Sequence, residues 1–367
     1  MTVMSASLSE TRYVRSGGER DVVACLIRTA AEAGVRADPI SIINFYVALK
    51  STPLVILTGL AQSGKIALVQ SVSRVLSGGD PLCCQMMIGH ARWASQTRHV
   101  ALFAEAQTRL NADKIFALID EAWQPENTER VFIACLTRIG QAELAGFFSE
   151  VAFQLRHGQI MRLPSAHLTE PIPYPPNLFL IGTLDDFQPV EFDADLLLQT
   201  TVIRWPALEI GPAADTRRSA AVPHGENAFL SACIRSAAAA RLKLYRLLCG
   251  RTQAIGSLLQ VEDVLKQHAV ELPAVARHKA VVYLANAWSK DGIGLFDPAP
   301  RSNLAIATDL TMAQTVLPFV GEAIRHSTAL RSELIAALNG RFPRAVAYLK
   351  SLYEVSERGR PVNSDAV

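Results

Sequence analysis

Residues 53–76 read PLVILTGLAQSGKIALVQSVSRVL, and the fold of the whole chain turns on them. Gly59, Gly64 and Lys65 fit the phosphate-loop pattern G-x-x-x-x-G-K-[ST], but Ile66 occupies the position of the hydroxyl. Leu54–Thr58 is a short apolar run of strand type. Ala67–Leu76 carries apolar residues at 68, 69, 72, 75 and 76, the spacing of a helix face. A strand-loop-helix context is what the motif requires, because backbone N–H groups and the start of the following helix then face bound phosphates. The expected nucleotide-binding stretch is Gly59, Leu60, Ala61, Gln62, Ser63, Gly64, Lys65 and Ile66, with Lys65 neutralising phosphate charge. Isoleucine cannot ligate Mg²⁺ as the missing hydroxyl would. Gln62 stands where a glycine often lets the backbone approach its ligand. The bland alternative is a glycine-containing turn that carries a lysine by chance.

The chain has 367 residues, half of them hydrophobic and 19% charged, enough to bury a large core and to form about two domains. No apolar run reaches the roughly 20 residues of a membrane span, and the first 20 residues lack the apolar block of a signal peptide. A cytoplasmic protein without membrane attachment is expected. Six cysteines, at 25, 83, 84, 135, 233 and 249, show neither zinc spacing nor a disulfide framework. Cys83 and Cys84 read as small hydrophobes in a strand. A net charge of +2 gives no electrostatic case for nucleic acid.

Helices are expected at 21–35 and 40–49, strands at 54–58, 83–88, 115–119, 178–182 and 200–204, and helical stretches at 99–110 and 127–156. Strands alternating with helices predict a five-stranded parallel sheet covered on both faces. Residues 1–41 form an N-terminal helical extension and 42–206 an α/β nucleotide-binding domain. Residues 207–226, rich in Ala, Pro, Gly and charge, read as a linker or exposed loop. Residues 227–356 are expected to form a helical lid domain, and 357–367 a disordered tail.

A second signature lies in KIFALIDEAWQPENTERVF, where an apolar run precedes Asp120 and Glu121. This is a Walker B pattern. On a strand over 115–119, Asp120 would sit at the sheet's carboxyl edge to organise Mg²⁺, and Glu121 would orient or deprotonate the attacking water. Two acids ending a strand also occur as plain edge charges.

With these blocks in place the chain resembles the McrB-like branch of AAA+ P-loop NTPases, which includes the GTP-driven subunit of methyl-directed restriction endonucleases. The likeness covers roughly residues 42–354. It is carried by FYVALKSTPLVILTGLAQSGKIALVQ, IDEAWQPENTERVF, PIPYPPNLFLIGTLDDFQPVEFDADLLLQTTVIRW and the later stretch with LPFVG and FPR elements. The resemblance implies ATP or GTP with Mg²⁺ as cofactor and an oligomeric ring, homo- or hetero-oligomeric. It also implies a nuclease or ATPase as partner, and a role in DNA restriction or antiviral defence with DNA reached through the assembly. Laid on the family pattern, Asp185 replaces the asparagine that senses γ-phosphate, and Gln199 replaces the arginine given to the neighbouring subunit. Arg277 is the best candidate for a lid arginine that senses nucleotide.

An arginine finger is worth about 10³ to 10⁵ in rate. With Ile66, Gln62, Asp185 and Gln199 all adverse, the expected function is a degenerate, weakly or non-hydrolysing subunit of a larger assembly. Two alternatives stay open: an active motor completed by a partner's arginine, and a DNA-contacting adaptor. The adaptor would use the basic amphipathic stretch 241–251, with Arg241, Lys243, Arg246 and Arg251.

Overall fold

Strand β1, Leu54–Gly59, is buried along its whole length because it lies in the middle of a sheet covered on both faces. The computed structural model describes residues 18–89, 99–140, 144–155, 159–163, 166–185, 192, 194–206, 226–248 and 253–358. Among them, β2 (Cys84–Ile88), β3 (Phe132–Ile139), β6 (Leu178–Asp185) and β7 (Thr200–Arg204) join β1 in a five-stranded sheet of order β2-β3-β6-β1-β7. Every pairing in it is parallel. A separate antiparallel pair comprises β4 (Gln159–Leu163) and β5 (Ala166–Pro173).

Side-chain alternation divides the sheet between two cores. Val55, Leu57, Ile133, Cys135, Phe179 and Ile181 face one of them, which also takes in helices α1 (Glu19–Glu32), α2 (Pro39–Ser51) and α3 (Lys65–Leu76). Leu54, Ile56, Phe132, Ala134, Leu178 and Leu180 face the other, under α4 (His99–Ala122) and α5 (Ser149–Leu155). Gly182 of β6 makes room on that second face: a Cβ there would lie 2.7 Å from Ile139 and 2.8 Å from Phe148.

Helix α6 (Ala194–Gln199) leads into β7. Beyond the undescribed stretch 207–225, described residues are helical apart from short connections and one bridge between Trp288 and Gly294. The principal helices are α7 (Glu226–Leu230), α8 (Ala237–Leu248), α9 (Gln253–Gln267), α10 (Ala274–Asn286) and α11 (Pro300–Thr311). A π-helical turn (Met312–Val316) follows, then α12 (Leu317–Phe319), α13 (Gly321–His326), α14 (Thr328–Leu338) and α15 (Pro343–Arg358). These helices share their apolar core with α1, α2 and one sheet face. The FPR element gains a structural meaning here. The buried Asp309 carboxylate accepts the backbone N–H groups of Arg344 (3.0 Å) and Ala345 (2.8 Å), satisfying donors at the start of α15.

Two sequence expectations are corrected. Residues 115–119 belong to the long helix α4, not to a strand. Ala112, Ile115, Leu118, Ile119 and Ala122 are buried, while Asp113, Ala117 and Asp120 are exposed, a 3.6-residue period that five residues are too few to display. The strand of this unit is instead β3, inside the stretch 127–156 expected to be helical. FIACLTRI is an almost unbroken apolar run with β-branched and aromatic residues, as a strand buried on both faces should be. The linker beyond Pro206 and the tail after Arg358 lie outside the described residues.

Candidate functional site

The loop after β1 emerges at the carboxyl edge of the sheet, between the ends of β6 and β7, where open α/β sheets place ligands. Gly59 ends β1 at φ 149°, and a Cβ there would lie 2.7 Å from the Trp205 carbonyl oxygen. Trp205, immediately after β7, is 2% exposed and fastens the loop twice. Its backbone N–H donates to Thr58 O at 2.6 Å, and its indole N–H donates to Ser63 O at 2.8 Å. Gln62 adopts a left-handed φ of 60°, a conformation that costs a non-glycine residue about 1 kcal/mol or more. Gly64, at φ 84°, then lets the chain enter α3.

Lys65 is 4% exposed and bends back onto its own loop. Its ammonium donates to Gly59 O (2.8 Å), Leu60 O (2.7 Å) and Ser63 Oγ (3.2 Å), and pairs with Asp185 Oδ1 at 3.1 Å. Asp185 comes into reach because the register sets it directly beside Gly59. The surface that should face phosphates carries Leu60, 53% exposed, and Ile66, 36% exposed.

Asp120 and Glu121 are not part of this site. They end α4, whose last turn sits at the amino edge of the sheet. Asn177, just before β6, donates through Nδ2 to Asn127 O (2.9 Å), Arg130 O (3.0 Å) and Ala122 O (3.4 Å), tying that turn to the starts of β3 and β6. Glu121 accepts from the Asn127 side chain at 2.9 Å, and Asp120 is exposed. The carboxyl edge lies an eight-residue strand away, roughly 25 Å at about 3.3 Å per residue. Neither residue therefore stands where a Walker B acid must, and Asp120 is not placed to ligate Mg²⁺ at the loop. At the carboxyl edge, β3, separated from β1 by β6, closes with Thr137, Arg138 and Ile139, none of them acidic. Arg138 sits at a register shift with φ 56°, its backbone N–H donating to Thr183 Oγ1 at 3.2 Å.

The remaining candidates are dispersed. Gln199 ends α6 at the amino edge, where its carbonyl accepts from Thr52 Oγ1 at 2.6 Å. Arg277 on α10 reaches Glu262 of α9 at 3.5 Å, and none of its described contacts brings it to the loop. Arg204 is exposed at the carboxyl end of β7 beside Thr58. Burial raises the Tyr348 phenol to about 12, with Arg325 and Arg204 close enough to oppose that rise. Tyr348 and Arg325 were not singled out, since only the packing of α13 and α15 brings them near β7. On α8, Leu242 (50% exposed) and Tyr245 (70% exposed) face outward. Lys243, however, turns inward to Trp288 O at 2.9 Å, and burial lowers its pKa to about 8. Arg251 lies outside the described residues, so two of the four cations of the basic-face reading are not on a described surface.

No family model and no curated protein matches the chain. No helix among the described residues is long and apolar enough to cross a membrane. The residues present at the loop do not fit a Mg²⁺-nucleotide. The hydroxyl ligand is replaced by Ile66, β3 beyond β6 ends in Thr137, Arg138 and Ile139 in place of an acid, and the lysine already has a carboxylate partner.

Lys279 of α10 gives a pH signature to the packing of the helical segment. Its ammonium donates to Leu197 O (2.5 Å) and Thr200 O (2.7 Å) at the junction of α6 and β7, and desolvation lowers its pKa to about 7. Unfolded lysine titrates near 10.4, so between about pH 7 and 10 the unfolded chain binds more protons and stability from this group rises with pH. Lys279→Met is expected to remove that rise. The check is the urea midpoint at pH 7 and pH 9, whose difference should be smaller in the variant than in the wild type.

Proposed function

We propose that the chain is a degenerate P-loop subunit of AAA+ type, resembling the McrB-like branch, that lends its architecture to a larger assembly without turning over nucleotide. The observation that carries this reading is the Lys65–Asp185 pair at a loop where β3, the strand beyond β6, ends without an acid. Phosphate-loop catalysis needs the lysine on the transferred phosphate and a metal held by hydroxyl and carboxylate. Each of these groups is engaged elsewhere or replaced. Partner subunits, including a nuclease or an active ATPase, and DNA reached through them, belong to this proposal through the resemblance alone. The five-stranded parallel sheet, with the loop strand between β6 and β7, is compatible with such descent.

The test is nucleotide-linked stability. A ligand at 100 times its Kd stabilises a native protein by about 2.7 kcal/mol. Millimolar Mg-ATP or Mg-GTP is expected to leave the thermal midpoint of the wild type where it is without nucleotide. A rise that disappears in Lys65→Ala and is accompanied by hydrolysis above background would overturn the proposal.

A further inference from the structure

We propose that the Asp185 carboxylate is an internal substitute for phosphate, an autoinhibitory contact that holds the Lys65 ammonium and keeps polyphosphate out of the loop. The inference rests on the same reading of the loop as non-hydrolysing and names what closes it. Lys65 is buried at 4% exposure, and its ammonium meets an oxyanion at 3.1 Å, a close ion pair out of bulk water. That oxyanion comes from the chain itself, fixed by the parallel register of Gly59 with Asp185. The lysine's other acceptors are two loop carbonyls and the Ser63 hydroxyl, so Asp185 is the only negative charge among its described partners. A polyphosphate entering the loop would have to displace this carboxylate from Lys65 and then sit against its negative charge. Both effects act in the same direction. The turn is held without help from Asp185: Gly59 and Gly64 hold positive φ values, and Trp205 fixes Thr58 and Ser63 on either side of it. Among the described partners of Lys65, Asp185 is thus the one whose charge opposes an incoming anion.

The experiment titrates inorganic triphosphate, without metal, into the full-length wild type, Asp185→Asn, Asp185→Ala and the double variant Asp185→Asn/Lys65→Ala. Each protein is first shown to keep its far-UV spectrum and a cooperative melt. Removing a unit charge next to the lysine is expected to tighten binding by about tenfold or more in both single variants, and the double variant should lose the gain. Asp185→Ala serves if the amide variant misfolds, since it leaves no side-chain acceptor at position 185. Wild-type affinity equal to that of the folded single variants, or a gain that survives loss of Lys65, would overturn the proposal. Nucleotide turnover by the wild type would count against the proposed function instead, so the two failures are distinguishable.

Discussion

Glu19→Ala is expected to lower the free energy of unfolding by about 3–5 kcal/mol, because it strands a buried ammonium. Glu19 is 3% exposed and Lys50 is fully buried, with Nζ 2.5 Å from Oε1. The same carboxylate accepts from Tyr46 OH (3.3 Å) and from the backbone N–H of Lys290 (3.0 Å). Lys50 also donates to Asn286 O (3.0 Å) and Trp288 O (3.3 Å), and Lys243 meets Trp288 O from α8. This knot joins α1 and α2 to the segment between α10 and α11. Without Glu19 the Lys50 charge keeps only carbonyl partners in a dry environment. The double variant Glu19→Ala/Lys50→Met removes both charges and should cost much less than the sum of Glu19→Ala and Lys50→Met measured singly. Urea denaturation of the four proteins checks this. A Glu19→Ala loss under about 1 kcal/mol, or strict additivity, would show that the pair is not a buried staple.

Trp205→Ala is expected to cost about 3–5 kcal/mol, the range for deleting a large buried aromatic. The loss should exceed that of Trp205→Phe, which keeps most of the ring volume and gives up the indole N–H to Ser63 O. A buried carbonyl left without its donor costs about 1–3 kcal/mol. The comparison separates packing from anchoring. Trp205 lies under the loop, so both variants should also expose the backbone of residues 59–65 to faster amide exchange. Unchanged exchange there, with a stability loss under about 1 kcal/mol, would mean that the loop does not depend on this side chain.

How far the sequence disclosed this architecture depended on the kind of signal each element carried. The β1-loop-α3 unit was legible because two glycines and a lysine sit between a five-residue apolar run and a segment of clear helical period. Strands β2, β6 and β7 and the helical character of residues 227–356 were legible for similar reasons. The β3 unit was misread because an apolar run of five residues fits either a strand or one face of a helix. The two acids after it then supplied a motif without the geometry that gives the motif meaning. Only the buried positions 112, 115, 118, 119 and 122 reveal α4, and only pairing with β2 and β6 reveals β3. Asp185 was recognisable as a carboxylate facing the phosphate position. That it pairs with Lys65 was not, since the contact spans 120 residues and exists through strand register. With Asp120 and Glu121 on α4, the loop lacks both acids that the sequence pattern assigned to it, and one of the blocks behind the family resemblance does not occupy the place that resemblance implies.

Hydrolysis of Mg-ATP and Mg-GTP by the full-length protein, measured beside Lys65→Ala and Glu121→Gln, bears most directly on a loop that kept its frame without its catalytic groups. The expected result is one uncatalysed background rate for all three proteins. Wild-type turnover that falls to background in Lys65→Ala would contradict it, and turnover abolished by Glu121→Gln would return that residue from the far edge of the sheet to the reaction.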